Sequence, residues 1–147
     1  MIKFSEDRLS VAEYLSLREA VGWKKLSERQ AELALENCLY CISAYDDGKL
    51  IGMGRIVGDG AVICYIQDLI VLPEYHGKGV GSMLMKQLKK YVTGLIGEGE
   101  EIMFDLMCAK GREKFYEKHG FIARPTENLG PGMIQYMRLG DGGNLSK

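Results

Sequence analysis

An apolar, strand-like run that passes through a glycine-rich turn into a long amphipathic helix most constrains the fold of this chain. Residues 62–72 are its most apolar stretch, and Pro73 ends that stretch because proline cannot continue a β-ladder. Residues 76–82 then carry glycine at every second position, and residues 80–95 repeat apolar side chains along one helical face. The pattern predicts a central strand that leads directly into a helix.

The glycine-rich turn predicts a site for an anionic phosphate group. The first N–H groups of a helix have no intrahelical partner, and the helix dipole adds partial positive charge there. Glycines at positions 77, 79 and 81 let the backbone approach a ligand closely. A Walker loop is absent, and a dinucleotide fingerprint would need glycine in place of Ser82, which disfavours a nucleotide-dependent oxidoreductase. A turn used only for packing the strand on the helix is the alternative.

The composition indicates one globular domain without a surface for polyanions. The 147 residues fit a single domain, expected at residues 1–140 and followed by a flexible tail at 141–147. Because 19 Lys and Arg balance 20 Asp and Glu, neither a nucleic acid nor an anionic membrane is an expected partner. Apolar runs stay far below the roughly 20 residues of a spanning helix, and the first ten residues do not resemble a secretory signal. We expect a cytoplasmic protein.

The remaining periodicity predicts one α/β domain with a mixed sheet. Helices are expected from about Ser10 and Ser27, which suit capping positions, and over residues 80–95 and 110–119. Strands are expected over residues 2–5, 39–45, 50–57, 62–72, 101–107, 120–123 and 133–139.

The C-x-x-C pair of Cys38 and Cys41 could indicate zinc or dithiol chemistry, but its surroundings do not support either. A structural zinc site needs a second ligand pair, whereas Cys64 and Cys108 each stand alone. A redox pair usually opens a helix after a strand, and here a helical pattern gives way to a strand. We expect four reduced thiols, mostly in the core, and no metal site.

Two segments resemble motifs of the GNAT superfamily of N-acetyltransferases. Residues 69–81, LIVLPEYHGKGVG, are similar to its acetyl-CoA-binding motif, in which Q/R-x-x-G-x-G/A follows a strand ending in proline. Residues 114–121, KFYEKHGF, are similar to its F-Y-x-x-x-G-F segment. The resemblance implies a three-layer α/β (α+β) fold with about four helices and a mixed, twisted sheet of about six or seven strands. That sheet would splay between its fourth and fifth strands.

The resemblance also implies acetyl-CoA as the cofactor, with its pantetheine arm in the splayed cleft and its pyrophosphate on the amides of the turn. His76 departs from the Gln or Arg of the family, which puts a side-chain contribution there in doubt. Because the family's contacts are largely made by backbone groups, we expect binding to survive. The implied cofactor-binding residues are Val71, Leu72, His76, Gly77, Lys78, Gly79, Val80, Gly81, Ser82 and Phe115.

Tyr116 resembles the family's general acid, which protonates the leaving thiolate of coenzyme A. A phenol with a pKa of about 10 stays protonated at neutral pH and can protonate a thiolate of pKa about 8.5, while plain packing is the alternative role. The family's glutamate base corresponds roughly to Tyr65 or Gln67 here. Asp68 is the candidate base, although strand alternation directs it to the face opposite Gln67. A water relay, or an amine that arrives neutral, would serve equally.

The resemblance therefore implies an acetyl-CoA-dependent N-acetyltransferase, which we expect to act on a primary amine of a small molecule by direct attack. Direct transfer disfavours an acyl-enzyme at Cys108, which we expect to be a buried thiol. We expect His119 to be a surface or capping imidazole. Acceptor selection is expected in the loops at Trp23, 58–60 and 130–133, with polar candidates at Arg55, Asp59, Arg124 and Glu127. A non-catalytic acyl-CoA-binding or sensing module is the alternative, and a homodimer is left open.

Overall fold

Strands and helices alternate along the chain in the computed structural model, which describes residues 1–140. The strands are β1 (Ile2–Ser5), β2 (Tyr40–Asp46), β3 (Lys49–Gly58), β4 (Ile63–Val71) and β5 (Met103–Leu106). The helices are α1 (Val11–Ala20), α2 (Glu28–Glu36), α3 (Val80–Thr93) and α4 (Glu113–Lys118), with a single 3-10 turn at Pro73–Tyr75. Two compact units are present, one of residues 1–108 and one that begins at Ala109 and contains α4. The expected tail at 141–147 lies outside the described residues.

The first two helices begin where the serine signals predicted. The Ser10 hydroxyl accepts from the N–H of Glu13, whose carboxylate accepts from the Ser10 N–H. Ser27 and Gln30 form the same reciprocal pair at the start of α2. Such a capping box satisfies two N–H groups that a helix start would leave unpaired. No helix within residues 1–140 combines the length and apolarity needed to cross a membrane.

The five strands form one mixed sheet in the order β1-β2-β3-β4-β5. The first four strands pair antiparallel, and β5 joins β4 in parallel, so the predicted mixed sheet is confirmed. The expected count of six or seven strands is wrong for the described residues, because neither 120–123 nor 133–139 forms a strand. Apolar alternation alone cannot make a strand without a neighbouring ladder, and Met133 and Ile134 are exposed.

The ladder between β4 and β5 covers only part of β4. The two strands pair only between residues 63–66 and 103–106, and β5 ends opposite Ile66. Residues 67–71 of β4 therefore continue past the end of β5. The part of β4 without a β5 partner lies where the family resemblance implies a splay.

Helices cover both faces of the sheet and create three layers. On one face, a Cβ built at Gly52 would lie 3.3 Å from the Leu84 side chain, and one built at Gly54 would lie 3.0 Å from that of Leu88. Glycine in β3 thus allows α3 to approach the backbone closely. The opposite face is covered by α1 and α2 around a core that includes Met53. That core comprises Leu9, Tyr14, Leu17, Ala31, Leu35, Cys41, Met53 and Ile70.

A β-bulge interrupts β4 at Gln67. Arg55 of β3 pairs with Asp68, but the next residue, Ile56, pairs with Ile66. Gln67 therefore has no pairing partner on β3. One extra residue on a strand changes the phase of its side-chain alternation. The bulge follows directly after Ile66, the last residue of β4 that pairs with β5.

Candidate active site

The turn between β4 and α3 exposes backbone rather than side chains. Gly77 and Gly79 both have left-handed φ angles, +77° and +82°. A Cβ at either position would meet no heavy atom within 4 Å, so open space lies beside both residues. Gly79 precedes α3 without a side-chain cap, and the N–H of Met83 makes a 3.0 Å bond to the Gly79 carbonyl. The N–H groups of residues 80–82 therefore lie in the first turn of α3, ahead of this first intrahelical hydrogen bond.

The charge around this turn suits an anionic group. The start of α3 carries the positive end of its helix dipole, and no acidic residue lies in the first turn of that helix. The Lys78 ammonium lies 5.3 Å from the centroid of the Tyr75 ring, and the Tyr75 hydroxyl donates to Asp46 over 2.7 Å. Open glycine backbone, a helix N-terminus and a neighbouring lysine together fit a phosphate or diphosphate.

The side chain of His76 connects the turn to the end of β4. Its Nε2 lies 2.8 Å from the carbonyl oxygen of Val71. A carbonyl can only accept, so Nε2 carries the hydrogen in this contact. Residue 76 thus contacts backbone at one of the positions implied to bind the pantetheine arm.

Asp68 lies in a buried polar cluster rather than at an open surface. Its side chain is fully buried, and its Oδ2 accepts from Arg55 Nε and from the Tyr14 hydroxyl, both over 2.6 Å. Its Oδ1 contacts Arg18 Nη1 at 3.4 Å. Arg55 also donates to the Ala34 carbonyl and to the Tyr14 hydroxyl oxygen. The carboxylate thereby connects α1, β3 and β4.

The hydroxyl of Tyr14 is a proton donor in this cluster. Burial, together with the charge of Asp68 and its hydrogen bond, raises the pKa of Tyr14 to about 12. The phenol is therefore protonated at neutral pH. It supports the carboxylate and does not act as a base.

A polar pocket of about 470 Å³ opens beside the cluster, between the sheet and the first two helices. Its charged lining consists of Arg18, Arg29 and Arg55. Gln67 of β4 contributes to its wall on the sheet side. The full lining is Tyr14, Arg18, Leu26, Arg29, Gln30, Leu33, Ala34, Arg55 and Gln67.

The bulge explains why Gln67 and Asp68 serve the same side of the sheet. Alternation predicted opposite faces for them, and that prediction is wrong: Gln67 lines the pocket together with Tyr14, Arg18 and Arg55, which are the partners of Asp68. A bulge places two consecutive residues opposite one partner and breaks strict alternation.

The other polar acceptor candidates have structural contacts. Asp59 Oδ1 accepts from the N–H groups of residues 61, 62 and 63 at 2.8–3.0 Å, which closes the turn after β3. These bonds hold the pKa of Asp59 below its ordinary value. In the second unit, Arg124 donates to the carbonyl of Gly130, and Glu127 is exposed. Of the four candidates, only Arg55 lines the pocket, and it is 5% exposed.

The cysteines are free thiols in different environments. Cys41 and Cys64 are buried, and burial, followed by the neighbouring Cys38, raises the pKa of Cys41 to about 11. Such a thiol is a poor nucleophile at neutral pH. Cys108 is exposed, so its expected burial is wrong; it follows the end of β5 by two residues, beyond the last paired position.

The second unit places Tyr116 in an aromatic cluster. Phe115 and Tyr116 are half-buried in α4, with ring centroids 5.1 Å apart at 85°. Tyr116 also meets Phe121 edge-on at 5.9 Å, and Phe115 lies 5.0 Å from His119. Packing thus orients the Tyr116 ring within its own unit.

Sequence reasoning assigned no site role to Tyr14, Arg18 or Arg29, and it named Gln67 only as a position that corresponds roughly to the family's base. Tyr14 follows the apolar Val11 at the spacing of one helix face, and Arg18 lies one turn later on that face. A charged residue within an apolar stripe is a signal of a buried polar contact that the sequence did offer. Arg29 gives no such signal, because an exposed arginine is ordinary in a helix.

Comparisons with known proteins agree with one another. The family model described as acetyltransferase (GNAT) family matches residues 8–121. A crystal structure from meticillin-resistant Staphylococcus aureus, of protein SA2161 of unknown function, a probable acetyltransferase, is 35% identical with a TM-score of 0.81. The alignment covers 92% of this chain and all of that chain, 100%.

Two further relatives extend this similarity. An uncharacterized N-acetyltransferase, ycf52-like, from Prochlorococcus marinus is 30% identical over 130 residues, which span 85% of this chain and 70% of that protein. The PaiA N-acetyltransferase from Thermoplasma acidophilum was solved in complex with coenzyme A. It is 19% identical with a TM-score of 0.59, covering 88% of this chain and 94% of that one, and shows a common fold.

Proposed function

This chain belongs to the GNAT family of acetyltransferases, and from that membership we propose that it transfers the acetyl group of acetyl-CoA to a primary amine of a small molecule. The observation that carries the proposal is the open glycine turn at the N-terminus of α3. Gly77 and Gly79 leave space beside the backbone, and a helix dipole and Lys78 supply positive charge. These features favour a diphosphate, the anionic part of coenzyme A.

Specific residues would hold this cofactor. The amides of residues 77–82 would bind the diphosphate, and backbone groups of Val71 and Leu72 would bind the pantetheine arm. Acetyl-CoA supplies an acetyl group activated as a thioester. Because His76 contacts the Val71 carbonyl, the imidazole is placed to adjust this backbone segment when the arm binds.

Tyr116 is the proposed general acid. Its role is to give its phenolic proton to the sulfur of the leaving thiolate, which would otherwise be a poor leaving group. The aromatic contacts with Phe115 and Phe121 support this role because they restrict the orientation of the ring. The alternative, a purely structural tyrosine, predicts that removal of the hydroxyl leaves turnover unchanged.

Asp68, the candidate general base, has contacts that favour a different role. Both of its oxygens are engaged by guanidinium groups, and Oδ2 also accepts the Tyr14 hydroxyl. These contacts use the carboxylate to compensate the charges of Arg18 and Arg55 inside the protein. We therefore propose Asp68 as a positioning residue for the arginines, with the amine entering neutral or losing its proton to water.

The pocket beside Gln67 is the proposed acceptor site. Gln67 is four residues before Val71, about 13 Å along an extended strand, so the pocket and the pantetheine segment belong to the same half of β4. A volume of about 470 Å³ suits a small molecule.

The free thiols of the described residues are consistent with a reducing, cytoplasmic setting.

The test is turnover by the purified full chain with acetyl-CoA and a panel of primary amines. Chromatography should quantify coenzyme A, because Cys108 is exposed and would react with thiol reagents. Mass spectrometry should identify the acetylated amine. We expect turnover with at least one amine and a large loss in Tyr116→Phe.

A sensing module is the second candidate, favoured by one observation. Neither Tyr65 nor Gln67 provides the strand carboxylate that the family uses as a base, and Asp68 is engaged in its cluster. Tight acetyl-CoA binding without turnover on any amine would support sensing and contradict acetyl transfer.

A further inference from the structure

We propose that the acceptor amine also carries an anionic group, a carboxylate or a phosphate, which binds at Arg18 and Arg29 in the acceptor pocket. This inference rests on the proposed function and narrows its substrate class. Three features carry it: the charge of the pocket, the contacts of the half-buried Arg18, and the position of the exposed Arg29.

The lining of the pocket has a positive excess. Arg18, Arg29 and Arg55 line it, and none of its described lining residues is a carboxylate. Asp68 lies buried behind the lining and contacts Arg18 and Arg55. One carboxylate against three guanidinium groups leaves two formal positive charges, in a chain whose net charge is −1. A purely cationic amine is therefore repelled, whereas an anionic group is attracted.

Arg18 is fixed in place with donor capacity left over. Its Nη2 donates to the Lys24 carbonyl over 2.9 Å, and its guanidinium lies 5.4 Å from the Trp23 ring centroid. Its contact with Asp68 is long, at 3.4 Å, and its buried Nε has no hydrogen-bond partner within residues 1–140. A guanidinium has five N–H donors, and buried donors are normally satisfied. A bound anion would complete the coordination of this preorganised group.

Arg29 supplies the second charge from another wall. It lies on α2, is exposed, and makes no ion pair in the described part of the chain. Gln67 lines the pocket from β4, near the pantetheine segment. A ligand that spans the pocket would thus present its amine toward β4 and its anion toward the helices.

The chemistry shared by carboxylate and phosphate is recognition by guanidinium groups, which can bind either in a bidentate way. Two matched pairs of amines distinguish an acceptor that carries a carboxylate from one that carries a phosphate. β-Alanine is compared with β-alaninamide, and O-phosphoethanolamine with ethanolamine. An anionic group raises the pKa of a nearby amine, so a preference for the anionic member would oppose the intrinsic supply of free amine.

The experiment measures kcat/KM for all four amines with saturating acetyl-CoA, and their binding by calorimetry in the presence of coenzyme A. Arg29→Gln removes the charge at an exposed helical position where both residues are good helix formers. Arg29→Lys retains the charge. Lys90→Gln is the matched control, since it removes one exposed positive charge from α3 on the opposite face of the sheet.

We expect at least one anionic amine to exceed its neutral partner by about tenfold, and Arg29→Gln to lower that ratio severalfold. Arg29→Lys and Lys90→Gln should keep most of it. Turnover without preference would overturn the anionic site and leave acetyl transfer standing. A charge preference in binding that Arg29→Gln reduces, without any turnover, would support the anionic site and contradict acetyl transfer. Neither turnover nor preferential binding would overturn both.

Discussion

Arg55 of β3 and Asp68 of β4 lie directly opposite each other in the sheet, and their side chains form an ion pair with 2.6 Å between Nε and Oδ2. Asp68 is fully buried, and Arg55 is 5% exposed. Breaking one side of a buried pair costs more than the pair contributes, because the remaining charge has no compensation. Because Arg55 also lines the pocket, the ion pair stabilises both the sheet and this part of the pocket wall.

Removing the charge of Asp68 should strongly destabilise the protein. Asp68→Asn leaves Arg18 and Arg55 without their carboxylate, and we expect the free energy of unfolding to fall by about 3–5 kcal/mol. Urea denaturation measures this change. The control Asp7→Asn, at an exposed aspartate, should stay within about 0.5 kcal/mol of the wild type. A loss below about 1 kcal/mol in Asp68→Asn would contradict a charged, buried cluster.

The alkaline stability of the protein should depend on Tyr14. Its pKa is about 12 in the folded chain and about 10 in the unfolded chain. Between these values the folded state binds more protons, so the free energy of unfolding falls as pH rises from about 10 through about 12.

Tyr14→Phe tests this dependence. At neutral pH the variant should be less stable by about 1–3 kcal/mol, because Asp68 loses a donor. Above pH 10 its stability should decline less steeply than that of the wild type, since the titrating phenol is gone. Urea denaturation at a series of pH values measures both effects. Parallel decline of the two proteins would show that Tyr14 does not titrate differently on folding.

Binding of acetyl-CoA should depend on the backbone of the turn more than on the side chain of residue 76. Gly79→Ala forces alanine into a left-handed conformation and places a methyl group in the open space, so we expect affinity to fall about tenfold or more. His76→Ala should change affinity less than about threefold, because only one exposed side-chain contact is lost. Calorimetry measures both. The reverse order would contradict the proposed backbone site.

Turnover should depend on the hydroxyl of Tyr116. Tyr116→Phe keeps the ring packing but removes the proton donor, and general acid catalysis typically contributes about a hundredfold or more to kcat. Affinity for acetyl-CoA should remain close to that of the wild type. Tyr136→Phe, at a tyrosine 69% exposed in the same unit, is the control and should retain activity. An unchanged kcat in Tyr116→Phe would reassign the residue to packing.

The fold was predictable where the signal is local. Capping by Ser10 and Ser27 depends on residues three positions away, and the strand, glycine turn and α3 follow one another in the sequence. The strands expected at 120–123 and 133–139 required ladder partners that apolar alternation cannot guarantee. Local chemistry thus predicted element starts more reliably than the extent of the sheet.

The polar cluster was not predictable, because its members are far apart in the chain. Tyr14 and Asp68 are separated by 54 residues, and their contact exists only once α1 packs on the sheet. The bulge at Gln67 likewise depends on the register with β3, which no feature within β4 alone reveals. The glycine-rich turn before α3 could be anticipated, whereas the pocket beside Gln67 arises from tertiary packing.

Because of its bulge, β4 buries Asp68 on one face of the sheet and still buries the hydrophobic residues of its upstream half. A regular strand of the same composition could not do both. Deleting Gln67 would restore an uninterrupted pleat, and one half of β4 would have to rotate to the other face of the sheet. Either Asp68 would be driven into the apolar layer beneath α3, or the upstream half would expose its hydrophobic residues. Deleting one residue from β4 is therefore expected to abolish folding, whereas deletions of similar size in the surface loops should be tolerated.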